Sequence, residues 1–323
     1  MGFFASLRMT TKLLMNSVRY LRISVTDRCN MHCRYCMPKG YSTGTPRDML
    51  TPEEIAKIVG VSTRFGIDTV RITGGEPLLR YDTIDIINAL SSNRSVKRIG
   101  VTTNGSLLED AAKDLKKARV HSVNVSLDTL RRDRYNEISG CDLLPAVLKG
   151  IREATSTFEQ VKINCVVMRN INDDEIVDFL RIAENEKILV RFIEFMPHLD
   201  CSMDFLFPKA EILGVIERDF GHIKKISRTF GLGPAQYFKA ENLEMPFGII
   251  SSVTSPPCPS CNRLRLTSDG RLLPCLYSVK HFDLKTPLRN GKNIAPVFIK
   301  AIGTKECSSV PPRKKINMVD VGG

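Results

Sequence analysis

Residues 24–40 read "SVTDRCNMHCRYCMPKG" and place Cys29, Cys33 and Cys36 in the spacing C-x3-C-x2-C. A tetrahedral single-ion site takes four ligands, and this loop offers three thiols with His32 beside them. An iron–sulfur cube held by three thiolates leaves one iron open, and an open metal position is where a substrate can bind. The spacing therefore favours an iron–sulfur site. Zinc completed by His32 is the alternative, and a solvated His32 is the plainest reading of that side chain.

The loop follows a strand-like stretch, 20–26 "YLRISVT", and the same rhythm continues downstream. Further strands are expected at 68–73, 97–102, 121–127, 160–168 and 188–195, each rich in β-branched or apolar residues. Helical patterns lie between most of them. "TPEE" offers Thr51 as N-cap, Pro52 at the first helical position and Glu54 closing a capping box. A second helix is expected to start at Asn172, and "LEDAAKDLKKA" at 108–118 carries acids early and lysines late, as the helix dipole favours. Strands alternating with helices imply parallel βα units, hence an α/β fold with a partial or full barrel.

One parity of each strand is polar: Arg22, Ser24 and Thr26; Arg71 and Thr73; Thr102; Asn124 and Ser126; Lys162 and Asn164; Glu194 beside Met196. Alternate residues share a face, so these faces would converge into a hydrophilic lumen able to hold a charged ligand. An antiparallel sheet with one wet face is the alternative, and helix-like rather than hairpin connections argue against it. The turns "TGGEP" (73–77), "TTNG" (102–105), "SLD" (126–128) and "EFMP" (194–197) gather at strand carboxyl ends, where βα barrels place their active sites.

The 323-residue chain has a net charge of +12, which calls for an anionic partner: nucleic acid, a polyphosphate or an acidic protein. Ten clustered cysteines without a secretion signal read as metal-binding in a reducing compartment. No apolar run approaches the ~20 residues that span a bilayer. The first twenty residues lack acids and resemble a weak organelle transit peptide, and "MGFFAS" fits a loose myristoylation pattern. A short basic tail is the plainer reading.

Cys258, Cys261 and Cys275 make a second trio, C-x2-C-x13-C. Alone it reads as a zinc knuckle completed by His281 or Cys307; beside the first trio, a second open cluster is the stronger reading. Arg263 and Arg265 alternate just after Cys261, and arginine forks suit phosphate oxygens; a solvated strand edge is their plain reading. The single cysteines Cys141, Cys165, Cys201 and Cys307 are treated as core or incidental.

"CNMHCRYC" after the first strand and "TGGEP" after the second resemble the radical S-adenosylmethionine enzymes. Adding "LRISVTDRCN", "TTNG", "NVSLD", "VRFIEFMP", the second trio with "NRLRL" and the ending "RKKINMVDVGG", residues 20–323 are similar to one family among them, the GTP 3′,8-cyclases of molybdenum-cofactor biosynthesis. The resemblance implies a partial (β/α)6 barrel over 20–200, a C-terminal cluster-binding region over 201–310, an N-terminal tail over 1–19 and a basic tail over 311–323 whose Gly-Gly end reaches the active site. It implies two [4Fe–4S] clusters, held by Cys29, Cys33 and Cys36 and by Cys258, Cys261 and Cys275. It assigns S-adenosylmethionine to Tyr35, Gly75, Ser126 and Met196, and GTP to Arg22, Arg71, Thr102, Lys162, Arg263, Leu264 and Arg265, with Arg263 and Arg265 catalytic. It further implies a cytoplasmic enzyme with an electron donor, a downstream cyclic pyranopterin monophosphate synthase, no nucleic acid or membrane, and a possible homodimer. Another twin-cluster radical enzyme acting on a peptide or tetrapyrrole, and a basic RNA-binding protein with structural zinc, are the alternatives.

Overall fold

The computed structural model describes residues 18–36, 48–196, 203–278 and 280–305. Six strands in sequence order form its centre: β1 (Tyr20–Ser24), β2 (Thr69–Thr73), β3 (Arg98–Thr103), β4 (Ser122–Ser126), β5 (Val161–Val167) and β6 (Leu189–Glu194). All five neighbouring pairs are parallel. Helices α1 (Pro52–Ser62), α2 (Thr83–Ser91), α3 (Leu108–Lys117), α4 (Arg132–Ser139), α5 (Leu144–Thr157) and α6 (Ile176–Glu186) connect them. The sheet is a partial barrel that does not close, as expected.

The chain beyond residue 203 adds helix α7 (Lys209–Phe220) and strands to both edges of this sheet. Beside β6 run β9 (Phe247–Ile250), β8 (Gln236–Ala240) and β7 (Ile223–Ile226). Beside β1 run β10 (Arg263–Leu266), β11 (Arg271–Leu273) and β12 (Phe282–Asp283), followed by α8 (Lys285–Arg289) and α9 (Ala295–Gly303). Among the described residues no helix is long and apolar enough to cross a membrane.

Local signals explain several boundaries. Thr51 accepts from Glu54 N and the Glu54 carboxylate accepts from Thr51 N, so the capping box forms with Pro52 in the first turn. Asn172 stands at the N-cap position of a 3-10 turn, Asp173–Glu175, that runs straight into α6, but its side chain does not cap it. Its Oδ1 accepts from Met168 N (2.7 Å) and its amide donates to the Asp128 (2.6 Å) and Val166 (2.8 Å) carbonyls, so α6 starts later, at Ile176. Two carbonyls and an amide at neighbouring strand ends take that side chain from the helix.

The outward parity of the strands is apolar. Leu21, Ile23, Val70, Ile72, Val101, Val123, Val125, Ile163, Val190 and Phe192 are essentially inaccessible and pack under the helices. Each contributes about 1.5–3 kcal/mol by leaving water. Cys165 belongs to this core. The inward parity stacks in rungs: Arg265, Arg22, Arg71 and Gly100 are neighbours in one, Thr102, Asn124 and Lys162 in the next, Ser126, Asn164, Arg191 and Gly248 in a third.

The sixth strand departs from the expected parity. Arg191, not Glu194, is its basic inward residue, whereas Glu194 binds the backbone amides of Lys209 (2.8 Å), Val253 (2.9 Å) and Thr254 (2.9 Å). Each of these is a charge-assisted hydrogen bond, so the carboxylate ties the two loops to the strand end. Ser24 and Thr26, in contrast to Glu194, do not line the lumen: the Ser24 hydroxyl donates to the Thr26 carbonyl (3.1 Å) at the strand end.

A Cβ on Gly100 would lie 2.5 Å from Arg71 Cζ. Gly100→Ala is therefore expected to destabilise the chain by about 1–3 kcal/mol, the range for overpacking, read as a lower urea midpoint at unchanged slope. An unchanged midpoint would show that Arg71 moves aside freely.

Candidate active site

One cavity of about 330 Å³ runs through the sheet's inner face, and both cysteine trios line it. Their placement follows from topology. Cys29, Cys33 and Cys36 come after the carboxyl end of β1. Cys258 and Cys261 come before the amino end of β10, and Cys275 after β11, which is antiparallel to β10. Because β1 and β10 are parallel in the register Tyr20–Arg263 to Ile23–Leu266, the two trios lie at opposite ends of this strand pair. Strands of this length set them on the order of 15 Å apart, at about 3.3 Å per residue.

The first loop is built around close approach. Gly75 N donates to Thr26 O (2.8 Å) and Glu76 N to Arg28 O (2.8 Å). A Cβ on Gly75 would meet the Arg28 carbonyl oxygen at 2.2 Å, and one on Gly74 the Thr26 oxygen at 2.6 Å. Both glycines of "TGGEP" are thus required by the backbone of the cysteine loop. On its other side, His32 N and Arg34 N donate to Ser139 and Ile138 carbonyls at the end of α4. Asn104 donates to Asn30 (2.8 Å) and points its amide at the Cys29 sulfur (3.8 Å).

Two carboxylates hold these loops from beneath, and sequence reasoning missed both in that role. Glu76, fully buried, accepts from Thr103 Oγ1 (2.8 Å), Asn104 N (2.6 Å) and Leu78 N (3.0 Å), and burial pushes its carboxyl up to about 7. Asp128 accepts from the Tyr35 hydroxyl and Val166 N, and burial raises it to about 6. The sequence signal for Glu76 is its place in "GGEP", directly after the two glycines.

Between the trios the cavity is lined by Arg22, Arg71, Lys162, Arg191, Arg263 and Arg265. Its carboxylates, Asp128 and Glu194, are engaged as described. Arg71 is held by the Tyr20 hydroxyl (3.0 Å), the Val101 carbonyl (3.0 Å) and the Ser122 hydroxyl (3.2 Å). Arg191 donates to Asn164 (2.8 Å). Lys162 is 1% exposed and makes no ion pair among the described residues. Burial, then Arg191 and Arg71, lowers its ammonium to about 6. Burial and the neighbouring arginines likewise bring Arg22 down to about 10 and Arg265 well below its ordinary range. In the Lys162 rung, Thr102 Oγ1 and Asn124 Oδ1 are buried without a hydrogen-bond partner among the described residues. Each such atom costs about 1–3 kcal/mol. This rung therefore offers a lysine whose protonated form an anion would favour and a free acceptor, Asn124 Oδ1, for a hydroxyl or amine of the ligand.

Of the residues anticipated, Tyr35, Gly75, Ser126, Met196, Arg22, Arg71, Thr102, Lys162, Arg263 and Arg265 all line the cavity. Leu264 does not: strand alternation turns its side chain into the core, fully buried. Met196 receives a contact from the Tyr277 hydroxyl (2.9 Å). Asn124 and Asn164 line the cavity as their strand parity implied, and Arg191 and Tyr277 line it without having been anticipated. Arg191 was readable in "VRFIEF" once the parity is set by its neighbours. Cys141 is half-buried beside Ser139. Cys201, Cys307 and the Gly-Gly end lie outside the described residues.

The thiols fit an iron–sulfur group. Among the described residues no three His, Cys, Asp or Glu side chains converge on a single-ion site, which would draw each sulfur to about 2.3 Å from one metal. A cube asks only that three thiols face one space, and all six of these cysteines line the one cavity. In the second trio, burial pushes the Cys261 thiol up, but Arg263 and Lys305 outweigh it and hold it at about 7, poised to ligate as thiolate.

An open parallel half-barrel with a three-thiol loop after its first strand defines the radical S-adenosylmethionine class, whose enzymes carry a [4Fe–4S] cluster and use S-adenosylmethionine. The pattern of the Radical SAM superfamily matches residues 23–183, and that of Molybdenum Cofactor Synthesis C matches residues 188–309. The GTP 3′,8-cyclase of Desulforamulus reducens is 41% identical, covering 90% of this chain and 91% of that protein, and the GTP 3′,8-cyclase of Thermodesulfovibrio yellowstonii is 42% identical, covering 90% and 92%. This chain belongs to the GTP 3′,8-cyclase family. In fold it is similar to Streptococcus suis SuiB bound to S-adenosylmethionine (TM-score 0.67, 14% identity, 91% of this chain and 69% of that one) and to anSMEcpe with bound AdoMet (0.56, 16%, 87% and 82%).

The depressed Lys162 has a signed consequence. Its folded value, about 6, lies below the ordinary 10.5, so the unfolded chain binds more protons. The penalty is full below about pH 6 and shrinks as pH rises toward 10.5. Lys162→Met should therefore raise the denaturation midpoint of the ligand-free chain near pH 6, and the gain should fade by pH ~9–10. A pH-independent gain would show that Lys162 is charged throughout.

Proposed function

We propose that this chain converts GTP to (8S)-3′,8-cyclo-7,8-dihydroguanosine 5′-triphosphate, the first step of molybdenum-cofactor biosynthesis. One observation carries this reading: a single cavity has thiol trios at its two ends and buried cations on the strand faces between them. A triphosphate brings about four negative charges, and charge-assisted bonds from Arg and Lys at low dielectric offset them strongly. The reading is supported by the family to which the chain belongs.

Cys29, Cys33 and Cys36 would hold one [4Fe–4S] cluster and Cys258, Cys261 and Cys275 a second. When bound, the first cluster would supply the electron that splits S-adenosylmethionine, whose deoxyadenosyl group would take the ribose 3′ hydrogen; closure of C3′ onto guanine C8 would then need one further electron and a proton to give the dihydro product. Tyr35, Gly75, Ser126 and Met196 hold the cosubstrate at the first trio. Arg22, Lys162, Arg263 and Arg265 hold the triphosphate and orient the ribose between the trios, with Thr102 donating or accepting one hydrogen bond. Arg71, already tied to Tyr20, Val101 and Ser122, presents its charge from a fixed position. The walls of the half-barrel exclude water from reactive intermediates. A one-electron donor and a downstream synthase that takes the cyclised triphosphate complete the scheme.

The decisive measurement is anaerobic reconstitution with iron, sulfide, reductant, S-adenosylmethionine and GTP, followed by mass spectrometry. A cyclised GTP is expected; clusters without that product would overturn the substrate. Arg265→Ala is expected to lower turnover of GTP by roughly 10²-fold or more, the scale for removing a preorganised charged donor, while both clusters assemble. Binding of GTP above pH 7 should take up a proton as Lys162 regains its charge. Calorimetry in two buffers of different ionisation enthalpy reads this, and equal heats would contradict it.

A further inference from the structure

Lys305 lies just beyond α9, a helix locked to the core by Phe298, Ala301 and Ile302, with the Phe298 ring stacked on Phe65 at 5.6 Å. A lysine after a helix usually reaches back to the last carbonyls or into solvent. This one reaches away from its helix. Its ammonium donates to Cys261 Sγ (3.3 Å), to the Arg263 carbonyl (2.8 Å) and to the Pro274 carbonyl (3.1 Å). An ammonium has three donors, and these three acceptors use all of them.

The acceptors are not a random set. Cys261 is one thiol of the second trio, Pro274 directly precedes another, Cys275, and Arg263 opens the strand that carries both cavity arginines. One cation thus ties two cysteine-bearing turns to the first residue of β10. We propose that Lys305 is a positioning residue of the second cluster, which fixes the Cys261 sulfur relative to Arg263 and raises that cluster's reduction potential. The inference rests on the two-cluster reading above. Its physical basis is general: hydrogen bonds and positive charge at a ligating sulfur stabilise the reduced cluster and order the ligand loop.

The test uses the full chain, reconstituted anaerobically, and begins with the iron content of the unaltered protein. One cube's worth of iron would overturn the two-cluster reading, and this proposal with it. With two cubes present, Lys305→Met is expected to shift the second cluster's midpoint potential to more negative values. It should also speed loss of that cluster's iron to a chelator, with the first cluster's EPR signal unchanged. Lys305→Arg, which keeps charge and donors, is expected to restore most of the shift. Lys305→Gln, which keeps donors alone, should fall between, and it decides the matter should the Met variant not hold the second cluster. Unaltered potentials in the Gln and Met variants, even with lower melting temperatures, would leave Lys305 a merely structural tie and overturn the proposal.

Discussion

Positive charge buried on one face of a parallel sheet is the constraint on which this structure depends. Parallel sheets covered on both faces are normally apolar throughout, and here Arg22, Arg71, Lys162, Arg191 and Arg265 project into one lumen. Like charges at low dielectric repel and resist desolvation. The chain answers with local devices. Arg71 is bound by a phenol, a carbonyl and a hydroxyl over the bare Cα of Gly100. Arg191 bonds Asn164 and lies against Gly248, where a Cβ would come within 2.9 Å of it. Lys162 lowers its affinity for the proton. The basic groups that remain on the lumen face favour a polyanion there.

The open edges of the half-barrel make the second thiol trio possible. A closed barrel would have no free edge at β1. Here β10 adds there in parallel, in register with β1, and brings Arg265 beside Arg22 from more than two hundred residues away. The same pairing carries Cys258, Cys261 and Cys275 to the end of the lumen opposite Cys29, Cys33 and Cys36. The other edge, at β6, receives β9, β8 and β7. The segment that follows the barrel in sequence therefore builds both flanks of one continuous sheet.

Much of the site was legible beforehand. Strand parity named most of the lumen residues because a period of two is a local property that side-chain type records directly. The cysteine spacings were equally local. Arg191 was overlooked because a six-residue strand with polar residues at both parities carries no internal sign of which face turns inward; the register with Asn164 and Gly248 settles it. The Asn172 side chain is taken up by the Asp128 carbonyl, which lies past the end of β4, and by the Val166 carbonyl near the end of β5, and the first of these is not visible from its neighbours in sequence.

By itself the sequence determined the class of chemistry: two incomplete sets of thiols, polar strand faces of one parity, glycine-bearing turns at strand ends, and a chain basic enough to favour an anion. These depend on residue type and short spacing, which folding does not alter. Only the tertiary structure decided that the trios face each other along one lumen, that Glu76 and Asp128 hold the first loop, and that Lys305 grips the second. Those relations are made by contacts between residues tens to hundreds of positions apart, and such contacts are set by strand register and by where apolar faces bury, not by any local pattern.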